Sequence, residues 1–446
     1  MMHAAGLIEA IRGAEWVRRT GRIVRSVGLT VESEGPDARL GEICQLTSRA
    51  TGDRTLAEVV GFADNRVLLM PYADLVGIEA GSEVLATGET AQAAVGDHLL
   101  GRVLDGFGLP LDGRPLAFGA ARYPLYPPPL NPLARGTTQE ILETGVRAID
   151  SLLTIARGQR VGIFSGSGVG KSTVLGMIAR QVKADVSVIA LIGERGREVK
   201  AFVDTGLSQE ARQRSVVVAA TSDQPALVRR RAAFLATAIA EYFRDQGLHV
   251  CLTLDSVTRI AMAQREIGLA SGELPTARAY TPSVFALLPR LLERGGVAAA
   301  GGSLTALYTV LVEGDDMADP VADTVRSILD GHIVLSRALA QRARFPAIDM
   351  TQSVSRLTSA IVPREERELI SDAIKVLALY EASRDLIEVG AYRLGTTPAL
   401  DRAIKLVPEL EKFMAQAPDE VEARDGAMRR LRQLMAIEEA DERPRE

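Results

Sequence analysis

The segment GSGVGKST, Gly166 to Thr173, places three glycines, one lysine and three hydroxyl side chains in eight residues. This combination suits the capture of phosphate. Such a loop needs backbone N–H groups turned inward, a helix N-terminus behind them and a cation for the outer phosphates. Gly166, Gly168 and Gly170 permit the tight path. Ser167, Val169 and Thr173 complete the cradle, Lys171 reaches the β- and γ-phosphates, and Ser172 offers its hydroxyl to Mg²⁺. The usual pattern opens with glycine, whereas here Ser165 stands there, a small residue that can take up the required conformation. A glycine-rich turn with an incidental lysine is the bland alternative. The apolar run before the loop and the helical pattern after it favour a nucleotide.

Two carboxylates extend the constellation. The run HVCLTLDS ends in Asp255 after a continuous apolar stretch. An acid at the end of a buried strand downstream of a phosphate loop holds Mg²⁺, whereas alone it would be an ordinary helix cap. The run LIGERGRE places Glu194 just past another apolar stretch, with Glu198 one turn further on. Glu194 is a candidate base for orienting an attacking water. The same run also fits surface ion pairs among Glu194, Arg195, Arg197 and Glu198, and spacing does not choose between the two readings.

These residues need elements to hold them. The chain has 446 residues, enough for two or three domains, and nearly half are hydrophobic. A net charge of -5 argues against a nucleic-acid partner. Four scattered histidines make no metal cluster, and Cys44 and Cys251 read as buried thiols of a reducing cytoplasm. The N-terminus does not read as a signal peptide, and no apolar run has the length of a membrane span.

Residues 1–100 read as short strands with turns about every ten residues, which predicts a small β-barrel. A helix is expected over the first twenty residues, packed on the barrel or docking a partner. The proline-rich stretch YPLYPPPLNPLARG, Tyr123 to Gly136, predicts an extended connector wrapping the next domain. Over 101–345, β-branched runs alternate with helical stretches, the pattern of a parallel sheet covered by helices. Within it, Arg229, Arg230 and Arg231 read as a solvated helix face. Residues 346–446 read as helical, with a charged, frayed tail. The expected fold is therefore α/β: a β-barrel, a phosphate-loop (RecA-like) parallel-sheet nucleotide domain, then a helical domain.

Several longer segments carry a family resemblance. TGVRAIDSLLTIARGQRVGIFSGSGVGKST, GERGRE, LDSVTR, GRVLDGFGLPLDG and PAIDMTQSVSR resemble the catalytic family of rotary ATPases, over residues 20–435. That family includes ATP synthase catalytic subunits and the ATPases of type III protein export. The segments AMAQREIGLASGELPTARAYTPSVFALLPRLLERGG and LVEGDDMADPVADTVRSILDGHIVLSR are similar to the export branch, and Ala261 to Gln264 to its flagellar members. The acidic shaft-contacting loop of ATP synthase catalytic subunits has no obvious match.

The resemblance implies roles that spacing left open. It makes Glu194 the catalytic carboxylate and sets Arg195 and Arg259 near the phosphates. It makes Phe345 an adenine-stacking aromatic, where core packing is the alternative, and Arg356 the finger inserted by a neighbouring subunit. One chain carrying both Glu194 and Arg356 implies a homo-oligomer, by analogy a hexamer. The implied activity is Mg-ATP hydrolysis driving flagellar protein export. The implied partners are a stator or regulator, a coiled-coil stalk, the membrane export gate, export substrates and their chaperones, with the protein peripheral to the inner membrane. The loop Arg265 to Tyr280 is expected to face a central channel, or else merely to connect elements. The competing readings are an injectisome ATPase, a non-catalytic subunit of a rotary complex and a hexameric helicase. Glu194 argues against the second; the charge balance and the barrel argue against the third.

Overall fold

The computed structural model describes residues 18–116, 121–129, 131–137, 140–299 and 301–436. The helix expected over the first twenty residues falls on 1–17, outside the described residues, except for its last three positions, where Thr20 already opens a strand; the charged tail, 438–446, also lies outside them.

Alternation of buried and exposed side chains builds the first domain. Strands β1 (Thr20–Val27), β2 (Thr30–Glu34), β3 (Glu42–Thr47), β4 (Arg54–Ala63), β5 (Arg66–Pro71) and β6 (Glu83–Thr90) close into a barrel in the order β1-β2-β5-β4-β3-β6. Their inward residues, among them Ile23, Val31, Cys44, Leu46, Val59, Leu69 and Val84, form its core. Closure leaves no unpaired sheet edge.

The chain then crosses into a second layer. β7 (Gln92–Val95) pairs antiparallel with β9 (Ala121–Pro124), while β8 (Val103–Leu104) joins the main sheet at its edge. The proline-rich segment is a strap, as expected: Leu125 is buried, Tyr126 packs on Phe234 at 4.8 Å, and Arg135 donates to the Glu293 carbonyl at 2.7 Å. A two-stranded pair, β10 (Ile141–Leu142) with β11 (Ile155–Ala156), precedes the central strands.

These are β12 (Arg160–Ser165), β13 (Val186–Ile192), β14 (Ser215–Ala220), β15 (His249–Asp255), β16 (Gly296–Val297), β17 (Ser303–Leu311), β18 (Gly331–Leu335) and β19 (Ile348–Ser355). The nine-stranded sheet runs β19-β18-β12-β17-β15-β13-β14-β8, with β16 paired to β17. It is parallel from β18 to β8, and β19 returns antiparallel on β18. β13, β14 and β15 are buried along their whole length because helices cover both faces. β19 lies beyond residue 345, so the sheet continues into the region read from sequence as helical.

After the short helix Thr358–Ile361 come three longer ones, Arg364–Glu388, Pro398–Met414 and Arg424–Met435. In the second, Leu400, Ala403, Val407, Leu410 and Met414 recur at helical spacing and are buried. Arg147 anchors this layer: it pairs with Glu420 and Glu422 and donates to the carbonyls of Phe413 at 2.9 Å and Ala415 at 2.8 Å.

Two expectations need correction. The arginine run on the helix Ala226–Asp245 is not a solvated face. Arg230 and Arg231 are buried, and Arg229 pairs with Glu266 at 2.7 Å. Arg230 bonds Glu58 of the barrel at 2.6 Å, Glu58 also accepts from the Tyr72 hydroxyl at 2.6 Å, and the Arg231 guanidinium stacks 5.2 Å over Phe107. The helix is flanked by the barrel and the sheet, so its polar stripe has a partner on each side. The segment expected as a loop from Arg265 is helical through Ala270, because Val257–Ala270 keeps its apolar face on the core; the loop occupies 271–280.

Candidate nucleotide site

The site lies at the carboxyl ends of the parallel strands, where adjacent strand ends open a crevice. β12 delivers Ser165 to the start of the loop, and the helix Lys171–Gln181 begins at its end. Gly168 and Gly170 have φ of 77° and 95°, a region that side chains with a Cβ rarely adopt, and this turns the chain into the helix. Gly166, Ser167, Gly168, Val169 and Gly170 therefore precede the helix N-terminus, with Lys171, Ser172 and Thr173 as its first turn. Ser172 and Thr173 are exposed, and Val169 is buried beneath them.

The three charged residues singled out from the sequence meet. β13 ends two residues before Glu194 and β15 ends at Asp255, and in the sheet these two strands are neighbours. The Lys171 ammonium reaches Glu194 Oε1 at 3.2 Å and also contacts Asp255 Oδ1. Within the GERGRE run, Glu194 faces Lys171 and Arg195 faces Glu198. Arg195 is exposed and pairs with Glu198 at 3.5 Å. Arg259 is nearer: its stem lies against Gly193, the residue before Glu194, and its Nη1 approaches Met262 Sδ at 3.9 Å.

A cavity of about 440 Å³ opens in front of this group, lined by Ser172, Thr173, Glu194, Phe202 and Asp255 among others. Its donors at the strand ends are two carboxylates and hydroxyls, hard oxygens of the kind Mg²⁺ binds together with substrate phosphates. Ser172 and Asp255 fit such an ion without a dedicated protein cage.

Phe345 stands over the loop from the other side. It is 45% exposed, and its ring edge comes within 3.6 Å of where a Cβ on Gly170 would lie. Its carbonyl accepts from the Gln416 N–H at 3.0 Å, and Gln416 Oε1 accepts from the Arg147 N–H at 2.8 Å. The helical layer thus holds an aromatic face open to solvent beside the phosphate loop. Such a face suits a base better than it suits core packing.

Arg356 is not part of this group. It follows β19 and is exposed.

Sequence reasoning missed Thr309. Its Oγ1 donates to Asp255 Oδ1 at 2.6 Å and is fully buried. The available signal was a hydroxyl in the middle of the apolar run LTALYTVL, opposite the end of the strand that carries the acid.

Comparison with known proteins agrees with this geometry. Residues 145–355 match the ATP synthase alpha/beta family nucleotide-binding domain, 23–88 the beta-barrel domain of that family and 362–433 the T3SS EscN ATPase C-terminal domain. The chain is 50% identical over 439 residues to the flagellum-specific ATP synthase of Bacillus subtilis, covering 98% of this chain and 100% of the relative. It is 49% identical over 401 residues to the type 3 secretion system ATPase of Sinorhizobium fredii, covering 90% and 89%. The assembled ATPase EscN of the enteropathogenic E. coli type III secretion system superposes with a TM-score of 0.88 at 44% identity, covering 93% of this chain and 100% of that one. A second structure, of EscN with its central stalk EscO, gives 0.85 at 43% identity. A barrel, a phosphate-loop sheet and a helical layer in this order, matched over nearly the whole length by such relatives, place the chain in the ATP synthase alpha/beta family.

Proposed function

We propose that this protein hydrolyses Mg-ATP in a homo-oligomer whose sites are shared between neighbours, and that it energises flagellar type III protein export. The observation that carries the reading is Lys171 set between Glu194 and Asp255 at the mouth of the phosphate loop. In the reading, Lys171 and the loop amides hold the outer phosphates, Glu194 orients the water and accepts toward its proton, and Phe345 faces the adenine. Ser172 and Asp255 hold Mg²⁺, which when bound neutralises phosphate charge. Thr309 fixes the Asp255 carboxylate. Arg195 and Arg259 are assigned to the phosphate end, and Arg356 to the neighbour's site. Catalysis is then positioning and electrostatics, with little covalent work for the chain.

The oligomer is supported by assembled EscN, and a stalk partner by EscN with EscO. The flagellar assignment is supported by relatives from several bacteria named flagellum-specific ATP synthase at 45–53% identity. No helix among the described residues is long and apolar enough to cross a membrane. Attachment to an export gate at the inner membrane would therefore run through the remaining proposed partners: a stator, substrates and chaperones. Phosphate release by the pure protein, lost in Glu194→Gln, tests the chemistry. Deletion of the gene tests the pathway: cells should lose flagella and keep growth and respiration. Motile deletants that fail at effector secretion would move the protein to the injectisome.

A further inference from the structure

Gly166 does not have the positive φ of Gly168 and Gly170, so its backbone conformation does not call for glycine. What a side chain there would meet is the ends of two others. A Cβ on Gly166 would lie 2.5 Å from Asp315 Oδ1 and 2.6 Å from Arg337 Nη2. These two side chains pair with each other, Arg337 Nε to Asp315 Oδ2 at 3.1 Å, and so close over the first residue of the phosphate loop. Beside them is a cavity of about 230 Å³ whose lining includes Ser165, Gly166, Asp315, Arg337 and Gln352. The pair thus lies between the loop and open space. The pair is about half exposed, 45% and 47%, where an ion pair adds little to global stability.

The pair is also tied to a second segment. Asp315 belongs to the short turn Glu313–Asp315, and the same stretch carries Asp316 and Asp319. Arg278, in the loop 271–280, pairs with both of these, with Asp319 at 3.1 Å. Backbone in the left-handed region marks both ends of the connection: φ is 49° at Arg278, 61° at Ala279, 64° at Gly314 and 58° at Asp315. The three that are not glycine persist only where the surroundings hold them.

We propose that Asp315 and Arg337 are positioning residues that clasp the phosphate loop at Gly166, and that Arg278 links the setting of this clasp to the loop 271–280. The inference rests on the nucleotide reading of Gly166 to Thr173. Loosening the clasp lets the loop amides drift from the phosphates, so nucleotide affinity falls before the chemical step does.

The test uses the full chain, with ATP kinetics, binding of a fluorescent non-hydrolysable ATP analogue and thermal unfolding measured together. Arg337→Gln and Asp315→Asn, the latter a residue tolerant of this φ, should each raise KM and the analogue's Kd by roughly threefold to tenfold, with kcat and Tm little changed. The double variant should be no worse than the weaker single, because both remove one clasp. Arg337→Lys should recover most of the affinity, and Arg278→Gln should shift KM in the same direction by less. Wild-type KM and Kd in both single variants, additive losses in the double, or a fall in Tm that accounts for the weaker binding would each overturn the proposal. Lys171→Ala serves as the control: if it still binds nucleotide, the phosphate-loop reading itself fails, and if only the clasp variants bind normally, the clasp alone fails.

Discussion

Arg356 and Lys171 stand at opposite ends of one sheet. The Arg356 N–H donates to the Asp330 carbonyl at 2.9 Å, and the Asp330 N–H in turn bonds the carbonyl of Arg160, the first residue of β12. Lys171 lies beyond the last residue of that strand, Ser165. At about 3.3 Å per residue the strand alone separates the two levels by roughly 17 Å, further than an arginine side chain extends. Arg356 therefore cannot reach the phosphates of its own chain. Among the described residues its guanidinium reaches the Arg326 carbonyl at 3.5 Å.

The role proposed for Arg356 therefore requires another copy's site. Arg356→Ala should still bind ATP and lose turnover by about a thousandfold or more. Mixed oligomers of Arg356→Ala with Glu194→Gln should regain activity, because some neighbours then combine an intact Glu194 with an intact Arg356. No recovery in verified mixed oligomers, at any ratio, would sink the shared site.

Within the chain, Glu194 and Lys171 should separate binding from chemistry. Glu194→Gln keeps the shape without the proton acceptor, so it should bind Mg-ATP and turn over at least about a hundredfold more slowly. Lys171→Ala should lose binding as well, since it also leaves Glu194 and Asp255 without the cation between them. Equilibrium binding and phosphate release read the two effects apart.

Phe345 should contribute mainly to affinity. Stacking on a base is worth about 1–3 kcal/mol, so Phe345→Ala should raise KM roughly fivefold or more while kcat holds, and Phe345→Tyr should restore it. An unchanged KM would return Phe345 to a packing role.

The contact between the barrel and the helix Ala226–Asp245 should respond sharply to loss of one charge. Arg230→Ala strands the buried Glu58 carboxylate, at a cost of about 3–5 kcal/mol. Removing both charges in Arg230→Met with Glu58→Leu should cost much less. The difference is read in thermal unfolding, and equal losses would mean that the pair is not coupled.

His249 sets an acid limit. It is buried, and burial followed by the nearby Arg157 charge lowers its pKa from 6.5 to about 4. The unfolded chain then binds the extra proton between these values. The contribution to stability is complete above about pH 6.5 and is lost as pH falls through about 4, by roughly 2–4 kcal/mol. His249→Gln should flatten the dependence of Tm on pH over this window; an unchanged slope would assign the acid sensitivity to other groups.

What could be read in advance was whatever the chain encodes locally. The phosphate loop is eight consecutive residues, and its glycines, lysine and hydroxyls declare their backbone geometry in place. Glu194 and Asp255 were legible because each follows an apolar run, and the ends of parallel strands converge on one edge. The barrel and the buried strands followed from alternating and continuous apolar patterns. The resemblance to the rotary ATPases supplied Phe345 and Arg356, whose neighbours in sequence carry no chemical signal.

The arginine run could not be read this way. Three consecutive arginines on a helix look solvated until the barrel lies against them, and Glu58, the partner of Arg230, is 172 residues away. Asp315 and Arg337 were equally silent, being ordinary charged residues until the fold closes them over Gly166. Glu194 and Asp255 could be proposed as neighbours, but Thr309 could not be assigned to Asp255 before the register of β17 against β15 was known. Periodicity and turn chemistry act over a few residues, so the sequence by itself determined most of the elements and the nucleotide loop. Which charges are buried together, and which edge of the sheet carries Arg356, depends on contacts between distant segments, and those only the tertiary structure decided.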